Sequence, residues 1–109
     1  MTWIAGIARI QRIFGPVMRQ IDFLNQAPSY CPAGPSLQCS VRVDGSLASY
    51  GVTAEALEDH FGARSYRFED LLAAYERHKP DIESVAKSLF ELTGASNVVL
   101  HSGHFRFAI

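Results

Sequence analysis

The residues of this 109-residue chain best suited to chemistry are its histidines, its two cysteines and one dense run of carboxylates. His101 and His104 stand three apart, as His-Ser-Gly-His. Two converging imidazoles are a common start for a zinc site. On a regular strand, residues three apart point to opposite faces, so this pair could share a metal only if Gly103 bulged the strand. No carboxylate or cysteine lies nearby at ligand spacing, and the sequence therefore predicts polar strand histidines and no metal. Cys39 alternates with Leu37, Val41 and Val43 and reads as a small buried hydrophobe. Cys31 lies among prolines. A Cys31–Cys39 disulfide is the alternative, disfavoured in a chain with no export signal.

Glu55, Glu58, Asp59 and His60 form an acidic cluster on a predicted helix. Glu58 and His60 are two apart and do not face each other. General acid–base work would need a partner from elsewhere, such as His101 or Arg106. The simpler reading is a solvated face with favourable charge near a helix N-terminus. No Ser-His-Asp arrangement, phosphate loop or dinucleotide fingerprint is present, so neither catalysis nor a cofactor is expected. Arg64, Arg67 and Arg106 are the residues from which a local basic patch could be built, but bases and acids are otherwise interleaved. No aromatic–basic stacking platform accompanies them, which makes nucleic acid an unfavoured partner.

These groups must be positioned by a chain that is 48% hydrophobic and 19% charged, with a formal charge of −1. The composition excludes a disordered chain and a protein living on phosphate contacts. No apolar run is long enough to span a bilayer. Charge is uneven: residues 1–19 carry +3, while the remainder carries −4. On a helical wheel Trp3, Ile7, Ile10 and Phe14 fall on one stripe, with Arg9 and Arg12 opposite, and Gly15-Pro16 is a credible stop. Three readings of this amphipathic helix compete. It docks on the fold or a second subunit, it lies on an anionic membrane surface, or it is an extension upstream of a natural start at Met18. The division expected is residues 1–17 as an extension and 18–109 as a single domain.

From Met18 onward the pattern is α+β. Ile21 and Phe23 share a face of a short strand, and Asn25 to Ser36, with Pro28, Pro32, Gly34 and Pro35, reads as a loop. Leu37 to Val43 alternates cleanly, Asp44-Gly45 signals a type I′ hairpin, and Ser46 to Val52 returns with Ala48, Tyr50 and Val52 on one side. Thr53 is a good N-cap and Gly62 a good terminator for a helix over Ala54 to Phe61. Phe68, Leu71, Leu72, Tyr75, Ile82, Ala86, Leu89 and Phe90 form one stripe that keeps its phase across Pro80. That phase predicts one kinked helix from Phe68 to Thr93, ended by Gly94. Asn97 to Phe107 reads as β, with Gly103 at a bulge or hairpin tip. The order β-β-β-α-α-β favours a small, mainly antiparallel sheet with two helices on one face.

The segment Val52-Thr53-Ala54-Glu55-Ala56-Leu57-Glu58-Asp59-His60-Phe61-Gly62-Ala63 resembles the signature of a small bacterial family, domain of unknown function 1488. Ile21-Asp22-Phe23, the Asp44-Gly45 hairpin, Leu71-Leu72-Ala73-Ala74-Tyr75-Glu76 and His104-Phe105-Arg106-Phe107 are similar to family members in order and spacing. The resemblance spans Arg19 to Phe107. It implies a compact α+β domain with no known activity, and it carries over no functional residue. Family members usually begin close to the first strand, which favours Met18 as the start. The expectation is a cytoplasmic, non-enzymatic accessory module, a homodimer or the binder of a protein partner. Its contact residues would be Trp3, Ile7, Ile10 and Phe14, or the open sheet. The alternative is a regulator that binds a small ligand or nucleic acid through Arg64, Arg67 and Arg106.

Overall fold

Strict alternation over Leu37 to Val43 puts four side chains on one side of a strand, and the tight turn after it returns the chain alongside. In the computed structural model, which describes residues 19–106, strands β3 (Ser36–Val43) and β4 (Ser46–Thr53) form this hairpin. They pair in register from Ser36↔Thr53 to Val43↔Ser46. Asp44 and Gly45 take φ of 52° and 84°, the two left-handed positions of a type I′ turn. Leu37, Cys39, Val41 and Val43 are buried with Ala48, Tyr50 and Val52 on the inner face.

Strands β1 (Ile21–Phe23) and β2 (Ser29–Cys31) both pair antiparallel with β3, at opposite ends of it. Strand β2 corrects the expectation of a continuous loop from Asn25 to Ser36. The prolines flank it: Pro28 precedes it, and Pro32 to Pro35 form the turn back into β3, so no proline interrupts its ladder. Strand β5 (Asn97–Leu100) runs parallel to β4 and completes a five-stranded, mostly antiparallel sheet.

Helix α1 (Ala54–Phe61) starts at Thr53, whose Oγ1 accepts the Ala56 N–H at 3.1 Å. It ends at Gly62 (φ 71°), with the Ala63 N–H donating to the Leu57 carbonyl at 3.1 Å. The long stripe that follows is carried by two helices, α2 (Phe68–Arg77) and α3 (Lys79–Thr93), and not by one kinked helix. His78 (φ −121°, ψ 21°) leaves the helical region between them, and Pro80 occupies the first turn of α3, where no intrahelical N–H is required of it. The stripe stays in phase because both helices bury it in the same core. Leu71, Tyr75, Ile82, Ala86 and Phe90 are all buried there with the inner sheet face. Gly94 (φ 66°) ends α3 as expected.

The segment after β5 also departs from the β reading. Residues Ser102–Arg106 form a short helix, α4, so Gly103 is neither a bulge nor a hairpin tip. His104 closes this turn on itself: its N–H donates to the His101 carbonyl at 3.0 Å, and its Nδ1 accepts the His101 N–H at 2.9 Å. Phe105 is buried edge-on against Phe61, with ring centroids 5.0 Å apart. At the start of the described chain the Arg19 guanidinium donates to the Phe90 and Ala95 carbonyls at 3.0 and 2.9 Å. It also pairs with Asp44 at 3.5 Å.

The helices thus cover one face of the sheet. The other face carries Gln38, Ser40, Arg42, Leu47, Ser49 and Val99, half-buried or exposed among the described residues. No described helix is long and apolar enough to cross a membrane. The expected amphipathic segment with Trp3, Ile7, Ile10 and Phe14 lies outside the described residues, as does Phe107.

Candidate functional site

A pocket of about 490 Å³ opens at one end of the sheet face that no described helix covers. That is within the volume range of small-ligand sites. Its floor is the outer face of the sheet, with Gln38 from β3 and Val99 from β5. Gln38 lies flat because its cross-strand neighbour is Gly51: a Cβ at position 51 would stand 2.6 Å from Gln38 Nε2. The same amide nitrogen donates to Ser36 Oγ at 3.3 Å. A glycine inside a strand pattern signals such a close approach, and the sequence reading passed over this one. The walls come from the β2–β3 turn (Gly34, Pro35), the start of α1 (Thr53, Ala54, Glu55) and Tyr66 in the α1–α2 connection, and Cys31 and His101 stand at the margin.

Among the described residues Glu55, in the first turn of α1, is the one carboxylate lining the pocket, and no lysine or arginine lines it. The partial covering of the Tyr66 phenol and the carboxylates of Glu58, Glu55 and Asp59 push its titration up. Cys31 is half-buried and free, and Cys39 is buried and free, so no disulfide joins them. Among the described residues no three His, Cys, Asp or Glu side chains cluster as metal ligands. His101 and His104 sit on a turn and not on opposite faces of a strand, so the parity argument does not apply to them. Their rings lie 5.8 Å apart, and His104 Nδ1 is already occupied by the His101 N–H.

A serine, a histidine and an aspartate do meet behind this margin. Ser102 Oγ donates to Asp59 Oδ2 at 2.9 Å, and His60 Nε2 lies 2.9 Å from the Ser102 carbonyl and 3.1 Å from its hydroxyl. In a hydrolytic triad the carboxylate orients the imidazole, which takes the serine proton. Here the serine O–H is donated in a hydrogen bond to the carboxylate, and the carbonyl requires the imidazole to carry hydrogen on Nε2. The arrangement is a clamp between α1 and α4. His60 also packs on Phe105 at 5.7 Å between ring centroids. The sequence showed Asp59 and His60 but not their partner, which is 42 residues from His60 and in a segment read as strand.

A second polar cluster lies in the core. The Tyr50 and Tyr75 hydroxyls are 2.8 Å apart. Burial pushes the titration of the Cys39 thiol up, against the lowering effect of hydrogen bonds from Tyr75 and Tyr50. Burial raises both phenols as well. Burial thus favours the protonated, neutral form of all three groups. Arg64, Arg67 and Arg106 are all exposed. Arg64 and Arg67 belong to one connection, around Tyr66 and its acidic surroundings, and Arg106 ends α4.

Residues 21–100 match the family described as Protein of unknown function (DUF1488). A crystal structure of a protein of unknown function from that family, from Shewanella loihica, is similar with a TM-score of 0.68 at 17% identity. The match covers 77% of this chain and 94% of that one, and at such identity it speaks for the fold alone. No curated protein matches the chain. The family match takes in every strand of the sheet and helices α1 to α3, and the chain belongs to the DUF1488 family.

Proposed function

We propose that the protein is a non-enzymatic interaction module that receives a partner protein on the uncovered face of its sheet. The observation that carries this reading is the composition of that face. Leu47, near the hairpin end, and Val99, at the pocket end, project from it with 69% and 44% of their surfaces exposed. Large apolar side chains set among polar ones on an open face suit a protein contact. The commitment of the reactive groups supports a non-catalytic role. The Ser102 hydroxyl donates its hydrogen bond to Asp59, His60 is held at a carbonyl, and Cys39 is buried beside two phenols.

The test is co-purification from the native cell, comparing the wild-type chain with a Leu47→Asp/Val99→Asp variant. Both substitutions sit at solvent-accessible positions, so the variant should fold. Loss of a stoichiometric protein from the variant alone is the expected result. A partner retained by the variant rejects the reading. A salt-sensitive DNA complex abolished by Arg64→Ser, Arg67→Ser and Arg106→Ser would favour the regulator instead.

A further inference from the structure

We propose that the pocket at the end of the open sheet face is an anchor site for an arginine side chain of the partner protein. The inference rests on the interaction reading and names the chemistry of its contact. Three features of the pocket select the occupant. Among the described residues Glu55 is the one carboxylate lining it, His101 is the one imidazole, and no lysine or arginine is present, so a cation meets attraction at Glu55. Its floor and walls include Val99 and Pro35, which suit the apolar stem of a long basic side chain. Its lining holds several groups that a cation could engage: the Glu55 carboxylate, the Gln38 amide, whose nitrogen is turned to Ser36, and the Tyr66 ring. A planar guanidinium, with donors on several edges and a face that stacks on aromatic rings, satisfies such a set better than a compact ammonium.

The site is also held in shape before any ligand arrives. Gly51 lets Gln38 lie on the floor, and the amide is steadied by Ser36. The margin at His101 is fixed by the His104 side chain, and the next residue, Ser102, is clamped by Asp59 and His60. A pre-formed pocket avoids the ordering cost that weakens anchors on mobile loops. The carboxylates of Glu58 and Asp59 extend the negative field along α1, and that field also acts on Tyr66. An arginine buried in a pocket and surrounded by a flatter contact is a frequent energetic centre of protein interfaces.

The experiment uses the full chain and three capped tripeptides, Gly-Xaa-Gly, in which Xaa is arginine, lysine or citrulline. Citrulline keeps the shape of arginine and removes its charge. Binding is read as saturable shifts of the Val99 methyl and Tyr66 ring resonances. The arginine peptide should bind at least roughly tenfold more tightly than the citrulline peptide, and more tightly than the lysine peptide. Glu55→Gln should weaken it by a similar factor, with the thermal midpoint lowered only slightly by the loss of a first-turn carboxylate from α1, and Tyr66→Leu, also at an exposed position, should weaken it independently. Equal binding of the arginine and citrulline peptides, or no effect of Glu55→Gln, overturns the proposal. Free arginine binding as tightly as the peptide overturns its protein source and assigns the pocket to a small molecule. If the partner depends on Leu47 and Val99 while the arginine peptide fails to bind, the anchor is rejected and the interaction reading stands.

Discussion

Tyr50, Tyr75 and Cys39 put three titratable groups where a small core would ordinarily carry only hydrocarbon. One phenol donates to the other at 2.8 Å, which offsets part of the penalty of burying them. The group has a consequence for alkaline stability. All three are neutral when protonated, and burial raises the titration of each in the folded state. Above the ordinary range of a thiol, near roughly pH 8.5, the unfolded chain releases protons that the folded chain retains. Stability is therefore complete below that range and falls as pH rises through it, first through Cys39 and then, above about pH 10, through the phenols. Urea denaturation midpoints should be flat from near neutral to mildly alkaline pH and then decline. Cys39→Ala should remove the early part of the decline and leave the later part. A midpoint that stays constant through the phenol range would show that these groups are not sealed in the folded state.

Helix α1 and the β3–β4 hairpin were legible from a handful of residues. Thr53, Gly62 and Asp44-Gly45 each do locally what their side chains or backbone freedom allow, without help from distant parts of the chain. The errors lie where tertiary contacts decide. The stripe across Pro80 kept its phase because one sheet receives both helices, and a phase argument cannot separate that from one continuous helix. Strand β2 exists because β3 offers it an edge, and α4 exists because Phe105 docks on Phe61 while Asp59 and His60 hold Ser102. Likewise the pocket joins residues from β2 to His101 that no spacing in the chain connects. The clamp gives the clearest test of this level. Ser102→Ala removes the donor to Asp59 and one contact of His60, while the carbonyl contact of His60 remains. The loss should be about 0.5–1.5 kcal/mol, as for a partly exposed hydrogen bond. Amide exchange should accelerate in residues 102–106 and remain unchanged in the β3–β4 hairpin. Exchange that quickens equally throughout would show that α4 opens only with the whole domain.

The charge of the whole chain is divided between a basic beginning and an acidic remainder, and Arg19 stands at the division. Its guanidinium donates to the Phe90 and Ala95 carbonyls at the C-terminal end of α3, where the helix dipole favours a cation, and it meets Asp44 of the hairpin turn. One side chain thus ties the entrance of β1, the tip of the central hairpin and the end of α3, at only 14% side-chain exposure. Among the described residues the sheet, its helices and a single core cluster are assembled from residue 21 onward. A chain that begins at Met18 therefore retains both the core and this tie, and deleting residues 1–17 should leave a cooperative unfolding transition. Any change should fall mainly on solubility or association, because the Trp3, Ile7, Ile10 and Phe14 stripe is removed with them. Deleting two residues more, Met18 and Arg19, should be far more costly. It strips the cation from two carbonyls and from Asp44, with a loss of about 1.5–3 kcal/mol for hydrogen bonds to a charged group. Urea unfolding of the two truncated chains, side by side with the full chain, measures the contrast. Equal midpoints for the two truncations would show that Arg19 contributes nothing to the fold. A first truncation without a cooperative transition would show that residues 1–17 complete the core.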